Sequence, residues 1–258
     1  KKKKKKTHLR VFVEMAPVLH LKVDGFTAHM HIFDALLALH DFPEFVAITE
    51  THLAKEVKWI GLTKYELVSR RDRPDQRGWG GIALFARHDV YQSIVFVKES
   101  ATLELAWYTL HADVGPLLLG VWYRPPKKGE IQTIQQFDRE LEGFEDHIGR
   151  LIIGDMNVHN EAWLTYSNGT SPEGRELEAV CAEHGLTQCV KVPTRGEHLL
   201  DLVLTDLPAH SQCSVHPGVL DQDHWAVIVD VAISIPSCSA VHRTCFDFGK
   251  AKWSDIKT

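Results

Sequence analysis

Several apolar runs in this chain lead into an acidic group: FVAITE stops at Glu50, LIIGD stops at Asp155, and Asp223 with His224 stands directly before WAVIV. Runs of this type form strands, and strand ends from distant parts of a chain can meet at one edge of a sandwich. Carboxylates gathered there repel one another, and a hard divalent cation with oxygen ligands relieves the repulsion. A single Asp at a strand end is more often a turn former, so the flanking residues carry the argument. In GDMN, Gly154 gives a tight exit from a buried strand, and Asp155 can orient and deprotonate a water. Asn157 offers an amide donor to charge building on a phosphoryl oxygen. Asp201 lies inside the apolar run LLDLVL, where a carboxylate needs a partner. His224 suits that role, since a carboxylate holds an imidazole in its cationic, phosphate-facing state; a structural salt bridge accounts for Asp201 equally well.

The elements that would position these groups are mostly strands. Strand-type runs recur as LRVFV, FVAIT, GIALFA, SIVFV, AWYTLHA, PLLLGVWY, LIIGD, LDLVLTD and WAVIVDVAI, rich in Val, Ile and aromatics and bounded by Gly, Pro or Asp. Three helical patterns lie between them. Phe33, Leu36 and Leu37 make a short apolar face, and Ile131, Ile134, Phe137, Leu141, Phe144 and Ile148 recur at spacings of three and four. The third opens at Ser171 with Pro172 in its first turn, buries Leu177, Val180 and Cys181, and stops at Gly185. The pattern predicts a strand-rich α/β domain over residues 11–235, after a basic tail (1–10) and before a C-terminal linker (236–258).

With 258 residues, the chain is long enough to bury a core without staples. Its net charge of -5 excludes a protein that coats nucleic acid nonspecifically, so contact with DNA must come from local patches. Arg70, Arg71, Arg73 and Arg77 form one candidate patch, and Arg124 with Lys127 and Lys128 another; a solvated charged loop is the plainer reading of each. Five cysteines without paired or zinc-finger spacing read as reduced thiols in an intracellular protein. Every apolar run is too short to span a membrane. The six leading lysines read as a solvated tail that contacts phosphate or serves as a nuclear address.

The ordered set FVAITETHL, GWGGIALF, GVWYRPP, LIIGDMNVH, LLDLVLT and DQDHWAVIV resembles the endonuclease/exonuclease/phosphatase superfamily, and within it the apurinic-endonuclease-like domain of non-LTR retrotransposons. The resemblance covers roughly residues 20–233. It implies a four-layer α/β sandwich of the DNase I type, two packed and mostly antiparallel sheets flanked by helices. It also implies a Mg²⁺ cofactor, or Mn²⁺ in its place, and a nick in double-stranded DNA that primes reverse transcription. The implied protein is nuclear, monomeric and free of membrane, with a reverse transcriptase domain in the same parent polypeptide; RTCFDFGKAKW resembles the segment that leads to one.

Carried over residue by residue, Glu50, Asp24 and Asp223 would hold the metal, and Tyr123 would contact the scissile phosphate. Asp155 would align the attacking water, Asn157 would stabilise the transition state, and His224 would face the phosphate, oriented by Asp201. Lys22, Arg124 and Thr194 would touch substrate. Lys22 departs from the pattern, because the family places asparagine there; an ammonium could repel the cation or grip a phosphate as a point charge. Glu104 is expected to be a solvent-facing strand residue.

Two other readings remain open. A same-fold phosphatase would act on a non-DNA phosphoester, and a silent DNA-binding module would keep the fold without turnover, with Lys22 as its cause. The pair His29 and His31 suggests a zinc hydrolase, but Phe33 and Asp34 follow where that pattern needs Asp then His. The sequon at Asn168 reads as a loop ahead of the third helix.

Overall fold

The computed structural model describes residues 14–72, 79–144, 146–217 and 223–238. Its strands are β1 (Ala16–Lys22), β2 (Phe45–Thr49), β3 (Tyr65–Arg71), β4 (Ile82–Arg87), β5 (Ile94–Glu99), β6 (Glu104–Ala112), β7 (Gly115–Tyr123), β8 (Gly149–Asp155), β9 (Thr187–Gln188), β10 (Asp201–Thr205), β11 (Ser211–His216) and β12 (Ala226–Val231). Among the described residues they form two six-stranded sheets, ordered β11-β12-β1-β2-β4-β3 and β5-β6-β7-β8-β10-β9. Pairing is parallel between β1 and β2 and between β7 and β8, and antiparallel elsewhere. Helix α1 (Phe26–Leu39) covers the first sheet; α2 (Ile131–Leu141) and α3 (Pro172–Glu183) cover the second. This is the four-layer sandwich.

Strand β2 explains the apolar runs. Phe45 and Ala47 enter the core between the sheets, while Val46 and Ile48 enter the layer beneath α1 with Phe26, Phe33, Leu36 and Leu37. Both faces of the strand are covered, so its sequence is continuously apolar rather than alternating. Helix α2 buries Ile134, Phe137 and Leu141, with Phe137 stacked on Trp122 at 4.5 Å between ring centroids. Its stripe ends there: Ile148 is 40% exposed and lies beyond the helix. Helix α3 begins as its sequence indicates, with the Ser171 hydroxyl accepting from the Gly174 amide at 3.0 Å.

The first strand differs from expectation. LRVFV falls outside the described residues, and the strand observed is APVLHLK. Pro17 is tolerated because it is paired only with Asp230 of β12; pairing with β2 starts one residue later, at Val18↔Phe45. Along β1, Ala16 and Val18 enter the inter-sheet core, so His20 and Lys22 follow on the same face as the strand runs out to the edge. Strands β3, β9 and β11 were not indicated by apolar runs; all three are at or next to a sheet edge and carry polar residues.

Candidate active site

One edge of the sandwich gathers the end of β1, the end of β2, the end of β8, the start of β10 and the turn before β12. Asp155 and Asp201 are register partners across β8 and β10, which places two carboxylates side by side at 1% exposure each. Asp201 Oδ2 accepts from His224 Nδ1 at 2.8 Å, and its Oδ1 faces His20 Nδ1 at 3.5 Å. His20 Nε2 lies 3.1 Å from the Thr49 hydroxyl. The pattern is self-consistent if His20 presents Nδ1–H to the carboxylate and Thr49 donates to Nε2.

The environments of the two aspartates drive them apart. Burial, reinforced by the Asp201 charge, raises the Asp155 carboxyl far above its usual range. Burial alone would raise Asp201 too, but the His224 and His20 imidazoles and the Thr194 hydroxyl outweigh it and hold Asp201 low. His224 is the complement: burial would lower it, and Asp201 carries it upward instead. His20, fully enclosed, is pushed down to about 4 by burial. The result is a neutral His20, an ionised Asp201 and a His224 inclined to cationic form.

Gly154 sets this up. Its φ is 154°, and a Cβ there would lie 1.8 Å from the Trp122 carbonyl oxygen. Only a glycine lets β8 approach β7 this closely. Asn157, at φ 47°, turns back so that its amide donates to the Arg124 carbonyl at 2.9 Å, leaving its second N–H for another acceptor.

A second, more open group lies beside the first. Glu50, at φ 54°, accepts from the Tyr123 hydroxyl at 2.5 Å on Oε1. Its Oε2 is 3.2 Å from Lys22 Nζ and 3.6 Å from His52 Nε2. Lys22 also reaches Asp223 at 3.6 Å, whose other oxygen meets Arg195 at 2.5 Å. Asp24 is 64% exposed and approaches His52 Nδ1 at 3.7 Å. Burial opposes the Lys22 charge, yet Glu50 and Asp223 raise its pKa above the ordinary lysine value.

Asp24, Glu50 and His52 each present a donor atom, all within 4.8 Å of one another, a hard oxygen and imidazole set suited to a divalent cation. Asp155, Asp201 and His224 converge equally, but there Asp201 is already hydrogen-bonded to His224, with Asp155 alongside. Asp223, expected among the metal donors, is instead paired with Lys22 and Arg195.

Two residues expected to touch substrate are buried and held by groups of the protein itself. Arg124 is 2% exposed, and its guanidinium donates to the Thr133 hydroxyl and to the carbonyls of Asn157 and Lys127, with Glu173 at 3.6 Å. It braces the loop behind Asn157 and faces no solvent. Thr194 is fully buried, and its hydroxyl accepts from the amides of Leu200 and Asp201, so it seats the relay rather than DNA. Tyr123 is turned toward Glu50. In the other basic patch, Arg70 pairs with Asp72 and Arg71 with the Ser100 carbonyl and Glu99, while Arg73 and Arg77 lie outside the described residues. His29 bonds the Gly25 carbonyl within α1. Glu104 is half-buried: it opposes Tyr123 across β6 and β7 and accepts from the Gly81 amide at 2.7 Å.

Sequence reasoning passed over His20 and His52. His20 had a usable signal, since it shares a strand face with Lys22; His52 had only its closeness to Glu50, two residues along.

Residues 117–228 match the family model described as endonuclease-reverse transcriptase. That stretch holds Tyr123, Asp155, Asn157, Asp201 and His224, but not Lys22, Asp24 or Glu50. Among solved structures, the chain is similar to the endonuclease domain of TRAS1, a telomere-specific non-LTR retrotransposon, at TM-score 0.65 and 16% identity, covering 86% of this chain and 99% of that one. It is also similar to an AP endonuclease from Archaeoglobus fulgidus, at TM-score 0.63 and 16% identity over 83% and 98% of the two chains. A third similar structure is the 3'-5' exonuclease NExo from Neisseria meningitidis, at TM-score 0.61 and 14% identity over 83% and 99%. No match was found among curated protein sequences. Among the described residues, no helix is long and apolar enough to cross a membrane.

Proposed function

We propose that the chain is a member of the endonuclease/exonuclease/phosphatase superfamily and that it hydrolyses a phosphodiester of double-stranded DNA, as the nicking endonuclease of a non-LTR retrotransposon; the family match over residues 117–228 and the likeness of fold support this reading. The observation that carries this reading is the buried relay: His20, Asp201 and His224 in line, with Asp155 alongside at the same edge. Asp155, in its ionised form, aligns the attacking water and takes its proton as the new P–O bond forms, while the P–O3′ bond breaks and the leaving 3′ oxygen takes a proton from solvent. His224, charged by Asp201, faces the phosphate and shares the charge that builds on it. The N–H of Asn157 that Arg124 does not take donates to a phosphoryl oxygen. A divalent cation on Asp24, Glu50 and His52, with Mg²⁺ the natural occupant and Mn²⁺ a substitute, would add Lewis-acid stabilisation there. The 3′ hydroxyl left by the nick would serve as primer for a reverse transcriptase in the same parent polypeptide, in the nucleus.

The test is relaxation of supercoiled plasmid with Mg²⁺ or Mn²⁺, comparing wild type, Asp155→Ala and Lys22→Asn. Nicking by wild type that Asp155→Ala loses supports the proposal. A second reading, a DNA-binding module without turnover, is favoured by the Lys22–Glu50 ion pair. It wins if wild type is as inert as Asp155→Ala while Lys22→Asn nicks. Inertness of all three removes the nuclease reading altogether.

A further inference from the structure

Glu50 has no oxygen left over. Tyr123 donates to Oε1 at 2.5 Å, and the Lys22 ammonium sits 3.2 Å from Oε2. The same ammonium reaches Asp223 Oδ1 at 3.6 Å, and Arg195 holds Oδ2 at 2.5 Å. Lys22 is thus placed between two carboxylates with its side chain only 11% exposed. Its root is fixed as well, because β1 pairs with β2 up to Lys22↔Thr49, one residue short of Glu50. A divalent ion coordinated by Glu50 Oε2 would have to share that oxygen with a full positive charge a few ångströms away, inside a site that water screens poorly. The four-carbon stem of lysine can swing, but leaving Glu50 means finding another anion.

We propose that Lys22 is a tethered counter-cation of Glu50 and Asp223: it keeps a divalent ion off Glu50 in the free protein and surrenders the place when a DNA phosphate takes the ammonium. Metal and DNA then bind with positive coupling, each raising the affinity of the other by the same factor. The second half of this inference rests on the DNA reading above; the first half does not.

The experiment measures Mn²⁺ binding by electron paramagnetic resonance and calorimetry, first with no DNA present. Wild type is expected to bind Mn²⁺ at least ~10-fold more weakly than Lys22→Asn and Lys22→Met, a range within ordinary coupling energies. Thermal melts confirm that each variant is folded. Adding Glu50→Gln to Lys22→Asn is expected to erase the gain, which shows that the ion sits on Glu50. Equal Mn²⁺ affinity in wild type and Lys22→Asn, or a gain that survives Glu50→Gln, overturns the counter-cation. A short DNA duplex is expected to tighten Mn²⁺ binding in wild type more than in Lys22→Asn, and equal tightening overturns the exchange with phosphate. Should Lys22→Asn gain Mn²⁺ while no variant nicks plasmid, the nuclease reading fails and the counter-cation stands.

Discussion

The two groups at the sheet edge solve the same electrostatic problem in opposite ways. In the inner group, Asp155 and Asp201 are enclosed, and the crowding is relieved by keeping one carboxyl protonated and clasping the other between two imidazoles. In the outer group, lysine and arginine stand against the carboxylates of Glu50 and Asp223 and supply the opposite charge. The inner solution is set by burial and strand register, so it changes little with ionic strength; in the outer one the Arg195–Asp223 pair is half open to solvent and should fade as salt rises. The backbone differs accordingly: Asp24, Glu50 and His52 all take left-handed φ, of 45°, 54° and 51°, whereas Asp201 lies within a regular strand.

The sharpest way to break the comparison is Asp155→Asn. Nicking should fall by roughly 10²–10⁴-fold, the usual worth of a positioned base, yet the protein should melt at a higher temperature. The sign follows from proton counting. The Asp155 carboxyl is raised from 3.8 to about 8 in the fold, so the folded state holds a proton that the unfolded chain releases. Wild-type stability therefore drops as pH climbs through that window, and the advantage of Asp155→Asn should widen from pH 4 to pH 8 in thermal melts. A gap that narrows over this range would show that burial is not what strains Asp155.

Next in size is Asp201→Ala, which strands two imidazoles. Urea unfolding should show a loss of about 3–5 kcal/mol, the cost of breaking a buried charged pair. His20→Leu should cost less, about 1–3 kcal/mol, through the unpaired Thr49 hydroxyl and the loosened Asp201. If His20→Leu costs as much as Asp201→Ala, the relay is centred on the wrong residue. Smallest is Arg195→Ala in the outer group, where half-exposed Asp223 should register within about 0.5 kcal/mol by the same measurement. A loss comparable to Asp201→Ala would erase the distinction between the two groups.

The sequence was most informative where burial covers both faces of a strand. β2, β7, β8 and β10 are written as unbroken apolar runs, and the polar residue that ends or interrupts each run is what the edge collects. β1 was obscured because its last inward-facing residues are polar and reach the sheet edge, so histidine and lysine stand where a core strand would continue with valine. The burial of Arg124 and Thr194 was hidden for a different reason. Whether a polar side chain meets solvent or is consumed by carbonyls depends on loops far away in sequence, and neither residue type nor local spacing records it. The family match has the same limit: residues 117–228 take in most of the inner group, while Lys22 and Glu50 lie in the stretch outside it.

Gly154 links the two groups mechanically. Trp122, whose carbonyl leans into the space where a methyl would be, is followed by Tyr123, which holds Glu50; Gly154 is followed by Asp155. The spacing between the Asp155 carboxylate and the outer group therefore depends on this close backbone approach, with the Arg124 amide bonded to the Asp155 carbonyl at 2.9 Å just beyond it. Alanine at that position would act as a shim. It would push β7 and β8 apart at the edge and shift the inner group against the outer one, leaving every reacting side chain present but out of reach of the same phosphate.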